Sequence, residues 1–190
     1  MKKILFIIVI MISFAGGYSL SAYLNFRKQN GLSLSLSILA VQEFEDRKYA
    51  KSLQYLSTAL YFDRDNKLAH HLLATTFYRL GLYQFALEEF TKYLESPKDP
   101  VYKKLGGNRP YVDVALAYCY IADINDRQSN QQVAIKNYES ALNQYPDLPK
   151  YLSAYIKVIS EKAQKTDDDI KQMQLYSTFL SKLQSIKKEG

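Results

Sequence analysis

The stretch from Lys67 to Tyr93 constrains the fold more than any other part of this 190-residue chain. It reads Lys67-Leu-Ala-His-His-Leu-Leu-Ala74-Thr-Thr-Phe77-Tyr-Arg-Leu-Gly81-Leu-Tyr83-Gln-Phe-Ala86-Leu-Glu-Glu-Phe90-Thr-Lys-Tyr93. Apolar residues recur at helical spacing on both sides of Gly81. Glycine suits a turn between two helices because it takes left-handed backbone at no steric cost. Ala74 and Ala86 stand where the two helices must touch, and small side chains let the backbones approach to about 8 Å. Phe77, Tyr83 and Phe90 are large enough to fill the space between neighbouring hairpins. One hairpin cannot bury its second face alone, so several must stack.

Composition agrees with helix. The chain has only 7 Gly and 5 Pro, and 47% of its residues are hydrophobic, enough for a core without the turn density of a β fold. Its 17 Tyr suit both helix packing and protein-binding faces. The formal charge is +6. Two of those charges are Lys2 and Lys3, and no block of five or six like charges occurs, so no nucleic-acid partner is expected. The single cysteine, Cys119, lies in the apolar run Val114–Ala122 and reads as a buried structural thiol.

The 67–93 pattern resembles the tetratricopeptide repeat (TPR). At a 34-residue period a first repeat covers about 33–66, with Leu36, Leu39 and Ala40, then Tyr49, Ser52, Leu56 and Ala59; Asp63-Arg-Asp-Asn66 ends it. The second, about 67–100, is the best match, with Tyr93 in place of a small residue. A third begins near Pro110 with Tyr111, Val114, Ala115 and Tyr118, and continues with Ala134, Tyr138, Ala141 and the terminating Pro146. With Ala115 as its close-contact residue, about seven extra residues fall in a loop over 123–132, and a similar extension covers 96–110. Two further helices are expected at about 148–164 and 167–188, a degenerate terminal pair of the kind that caps such arrays. Thr166 followed by Asp167, Asp168 and Asp169 is a helix start, and Ile170, Met173, Tyr176, Phe179 or Leu180, Leu183 and Ile186 form its apolar stripe. The expected fold is therefore all-α: an α-solenoid of about three TPR-like hairpins plus the C-terminal pair, at residues 34–188, with a generic helical bundle as the alternative.

A membrane segment precedes it. No charge occurs between Lys3 and Arg27. The most apolar part, Ile4–Ala15, has signal-peptide length, but uncharged character persists to Phe26, about the 20 residues that span a bilayer. Tyr18, Tyr23 and Phe26, then Arg27 and Lys28, resemble an interfacial anchor. Residues 1–28 are read as an uncleaved signal anchor and 29–33 as a hinge. Cleavage after Gly17 or Ser21, giving a secreted protein, is the alternative. Both readings put the repeat domain outside the cytoplasm, on the periplasmic side of a bacterial inner membrane.

The resemblance implies a groove lined by the first helix of each hairpin. Its positions would be Ser37, Val41 and Phe44; His71, Thr75, Tyr78 and Arg79; and Val112, Leu116, Cys119 and Tyr120. Phe44, His71, Thr75, Tyr78, Arg79, Leu116 and Tyr120 are the expected protein-binding residues, with Lys103, Lys104 and Arg109 as loop contacts. The rival is that these residues face the chain's own capping helix. Ser37, Val41, His71 and Thr75 depart from the Lys and Asn of carboxylate-clamp TPR domains.

The implied role is a membrane-anchored scaffold that binds membrane or envelope proteins during complex assembly. An accessory subunit contacting partners through outer helix faces and loops 96–110 and 123–132 is the second reading, and an envelope enzyme a remote one. No catalytic, cofactor or metal site and no small-molecule substrate are expected. His70 and His71 are adjacent and point about 100° apart on a helix, which prevents easy sharing of a metal. Gly106-Gly107 lacks the strand–loop–helix setting of a phosphate loop, and Asp167–Asp169 lacks EF-hand spacing.

Overall fold

The computed structural model describes residues 25, 28–96 and 109–189, and these contain eight helices and no strand. In chain order they are α1 (28–45), α2 (Tyr49–Phe62), α3 (Lys67–Arg79), α4 (Tyr83–Glu95), α5 (Arg109–Arg127), α6 (Gln131–Gln144), α7 (Leu148–Ser160) and α8 (Asp167–Glu189). The expected anchor, apart from residues 25 and 28, lies outside the described residues, as do Lys103, Lys104 and the loop at 97–108. Among the described residues no helix is long and apolar enough to cross a membrane. Two compact units divide the chain, 1–73 and 74–190, with the boundary inside α3.

In the first unit, residues 29–33 are helical and continue into α1, which corrects the hinge expected there. Ser33 explains the difference. It is fully buried, and its hydroxyl donates to the Ala59 carbonyl of α2 at 2.7 Å. Asn66, just before α3, donates from Nδ2 to Ser33 Oγ at 2.7 Å and to Ser37 Oγ at 3.1 Å, while its Oδ1 caps α3 by accepting from Ala69 N at 3.1 Å. A buried polar group is stable only when its hydrogen bonds are made, so this network fixes α1 where local sequence alone reads as a break. Ser37, expected in the groove, is fully buried in the same network. Ala40 is also fully buried, and Ser52 Oγ donates to its carbonyl at 2.9 Å, closing the α1–α2 pair.

One turn recurs three times. Arg47, Gly81 and Ser129 have φ of 62°, 74° and 64°. The residues that follow, Lys48, Leu82 and Asn130, share a second conformation near φ −85°, ψ 60°. Their N–H groups donate five residues back, to Glu43, Phe77 and Asn125, at 2.8, 2.9 and 2.9 Å. This is the Schellman helix ending, which satisfies carbonyls a helix C-terminus leaves open. The next helices then bury residues in one register: Ser52, Leu56, Ala59; Ala86, Phe90, Tyr93; Ala134, Tyr138, Ala141.

That register corrects the third repeat. Ala122, not Ala115, stands seven residues before the turn at Ser129 and 12 before Ala134, as Ala74 does before Gly81 and Ala86. The residues expected as a loop at 123–132 are mostly helix: α5 runs to Arg127 and only 128–130 form the turn. α5 has 19 residues against 13 for α3, and the added length lies at its N-terminal side. Asp123, Ile124 and Asn125 are buried, so the helix continues because its side chains have partners.

The core of the second unit joins α5 to α6 and α4, α7 to α8, and α6 to α8. Phe90 of α4 stacks on Tyr120 of α5 at 5.0 Å between ring centroids. Cys119 is fully buried, and burial pushes its thiol pKa up, as suits a structural rather than a reactive cysteine.

Candidate protein-interaction site

The turn register fixes which positions of α5 correspond to the first-helix face of the second repeat. His71, Thr75, Tyr78 and Arg79 correspond to Cys119, Asp123, Asp126 and Arg127. The face is therefore more charged in the third repeat than expected. Val112, Leu116 and Tyr120 are buried at 6%, 6% and 4% exposure and belong to the core rather than to an open groove.

In the second unit this face is occupied. Arg79 Nη2 donates to Gln172 Oε1 of α8, and Arg79 Nη1 lies 3.9 Å from Asp168 Oδ2. Tyr120 meets Phe179 edge-on at 5.4 Å, and Phe179 lies 6.0 Å from the Tyr176 ring. Further along, Lys182 Nζ pairs with Asp126 Oδ2 at 2.6 Å. α8 packs chiefly on α7 and α6, and through Asp168, Gln172, Phe179 and Lys182 it also touches the end of α3 and α5; its Tyr176, Phe179 and Leu183 are buried. Beside it, Asp126, Tyr138, Lys182 and Ile186 line a cleft of about 430 Å³ between α6 and α8.

Polar chemistry between α3 and α5 is tightly arranged. Tyr78 OH donates to Asp123 Oδ2 at 2.5 Å, and Arg127 Nε donates to the same oxygen. Burial, then the bond to Asp123, holds the Tyr78 phenol well above its ordinary pKa. Its ring packs edge-on against Tyr83 at 5.4 Å and Tyr120 at 4.8 Å. Arg127 also lies 5.4 Å from the Tyr83 ring centroid, a cation–π contact.

Of the expected binding residues, Arg79 and Tyr120 touch α8, Tyr78 packs on Tyr120, and Thr75 and Leu116 are buried in the same unit. Phe44 and His71 belong to the first unit. Phe44 is half-buried against Tyr49, 5.5 Å away, and His71 is half-buried. His70 is buried and donates from Nε2 to the Arg64 carbonyl at 2.8 Å, a core-edge role. Asp123, Asp126 and Gln172 were missed. No sequence signal marks the first two, because the turn that sets their register is at Ser129 rather than at a glycine. The α8 stripe is shifted as well: Gln172 is buried, whereas Ile170 is 43% exposed. Among the described residues no group of three His, Cys, Asp or Glu side chains is placed to hold a metal ion.

No protein-family model matches the chain, and no curated protein matches it by sequence. Solved structures do match it by shape. The N-terminal domain of stress-induced protein-1 (STI-1) from C. elegans aligns with a TM-score of 0.50 at 11% identity, over 78% of this chain and 97% of that one. MamA aligns with a TM-score of 0.51 at 13% identity, over 83% of this chain and 79% of that one. At such identities the likeness speaks for the fold alone. Both neighbours contain TPR repeats, and this chain repeats one Schellman turn in one register three times; it is an all-α protein of TPR-type fold.

Proposed function

We propose that this chain is a protein-binding scaffold, held at a membrane by residues 4–26, with its repeats on the extracytoplasmic side, where it serves the assembly or stability of a membrane complex. One observation carries the protein-binding part. The first-helix face at Arg79, Tyr120 and Asp126 has the shape and chemistry to take an α-helix, because it holds α8. Helix-in-groove recognition uses this arrangement of spaced anchors on one helix face. The uncharged run from Ile4 to Phe26 supports the membrane part, and anchoring would raise the effective concentration of the repeats for partners at the same surface.

A second reading has its own support. Tyr151, Tyr155 and Val158 form an i, i+4, i+7 stripe on α7 and are 36%, 38% and 63% exposed. An accessory subunit could use such an outer helix face. Mild-detergent capture of the tagged full-length protein, with mass spectrometry of partners and of its own N-terminus, tests the proposal. A stoichiometric membrane partner with residues 1–26 intact is expected. A processed N-terminus and no partner would defeat it. Retention of the partner by Tyr151→Ser/Val158→Ser and its loss on Arg79→Glu favours the first-helix face; the reverse favours the outer face.

A further inference from the structure

We infer that α8 is a displaceable in-cis occupant of the face built by the end of α3 and by α5, and that the partner replaces it with an amphipathic helix of the same chemistry. This rests on the protein-binding reading above and names what the face selects. The contacts define the pattern. Asp168 faces Arg79, Gln172 accepts from Arg79, Phe179 meets Tyr120 with Tyr176 beside it, and Lys182 pairs with Asp126. The partner helix would carry an acidic first turn, a polar amide one turn on, two aromatic anchors, and a lysine or arginine about four turns after the acid. That order sets direction too, since acid at the N-terminus and base towards the C-terminus also suit the helix dipole.

Three features make α8 exchangeable. Residues 161–166, which join it to α7, are all exposed. Among the described residues, left-handed φ outside glycine occurs only at Arg47 and Ser129, so α8 lacks the Schellman turn that locks the earlier hairpins. The ion pairs it makes with the face involve partly exposed side chains, Arg79–Asp168 at 22% and 27%, Lys182–Asp126 at 47% and 28%. Pairs of this exposure hold weakly and are screened by salt. A tether of this length holds α8 at an effective concentration on the order of millimolar, so a free helix binds only as α8 opens.

The test needs no physiological partner. A fluorescein-labelled peptide of residues 166–189 is titrated by polarisation into the full-length chain and into its Gln172→Ala/Phe179→Ala variant, which weakens α8 and leaves the receiving face untouched. The variant is expected to bind the peptide at least tenfold more tightly than the parent. The same peptide with Asp168→Lys/Lys182→Glu is expected to bind at least threefold less tightly than the unaltered one. Equal peptide affinity of variant and parent, or a variant without helical circular dichroism, would overturn the inference and make α8 a fixed part of the core. Hydrogen exchange on the parent chain is a second readout. Faster exchange along 167–189 than along α5 is expected, and equal protection would overturn the inference. A captured partner with a failed peptide assay would remove α8 exchange and leave the function standing; the opposite pair of results would do the reverse.

Discussion

Residue by residue, three turns carry the repeat, and only one of them uses glycine. Left-handed backbone costs an L-residue about 1–2 kcal/mol, whereas glycine in place of a side chain loses roughly 0.5–1 kcal/mol of backbone entropy. Ser129→Gly and Arg47→Gly are therefore expected to stabilise the chain slightly, by up to about 1 kcal/mol in urea titrations. Gly81→Ala should cost about 1 kcal/mol. A Cβ at Gly81 meets nothing within 4 Å, so that cost is backbone strain alone. At Tyr78, loss of the hydroxyl leaves Asp123 paired with Arg127. Tyr78→Phe should then cost about 1–3 kcal/mol, and Tyr78→Ala about 3–5 kcal/mol, because the ring contacts with Tyr83 and Tyr120 go too. Equal costs for the two substitutions would mean that the ring packing contributes little.

At the scale of elements, what could be read from the sequence depended on where the punctuation lay. The α3–α4 pair was legible because Gly81 marks its turn and a single close-contact alanine precedes it at the right spacing. The α5–α6 pair was not, because α5 offers Ala115, Ala117 and Ala122, and its turn residue is Ser129 rather than glycine. The start of α8 was legible from chemistry. Asp169 N–H donates to Thr166 Oγ1 at 3.1 Å, and Thr166 N–H donates to Asp169 Oδ2 at 3.0 Å, a reciprocal cap. Its buried face was not legible, since a half-apolar helix has more than one candidate stripe and only the surface beneath it selects Gln172. Bonding from Lys162, then from Thr166, holds the Asp169 carboxyl well below its ordinary pKa. A depressed carboxylate stabilises the fold above the unfolded-state pKa, about 3.9, and that contribution is lost as pH falls below it. Melting temperature should drop more steeply below about pH 4 for the parent than for Asp169→Asn. Thr166→Ala should cost about 1 kcal/mol near neutral pH.

For the chain as a whole, composition and one well-formed hairpin were enough to place it among TPR-type folds. Which face is open was beyond the sequence, because the candidate groove residues and the α8 stripe are both apolar and periodic, and periodicity does not say what packs on what. The consequence is functional: Tyr78, Arg79 and Tyr120 serve the fold and the candidate binding face together, so exchange at that face depends on α8 leaving it. Hydrogen exchange by mass spectrometry on the full-length chain, with and without its captured partner, tests this most directly. Faster exchange along α8 is expected when the partner is bound, with protection retained or gained along α5 and the end of α3. Unchanged exchange in α8, with new protection confined to the Tyr151–Val158 face of α7, would contradict it.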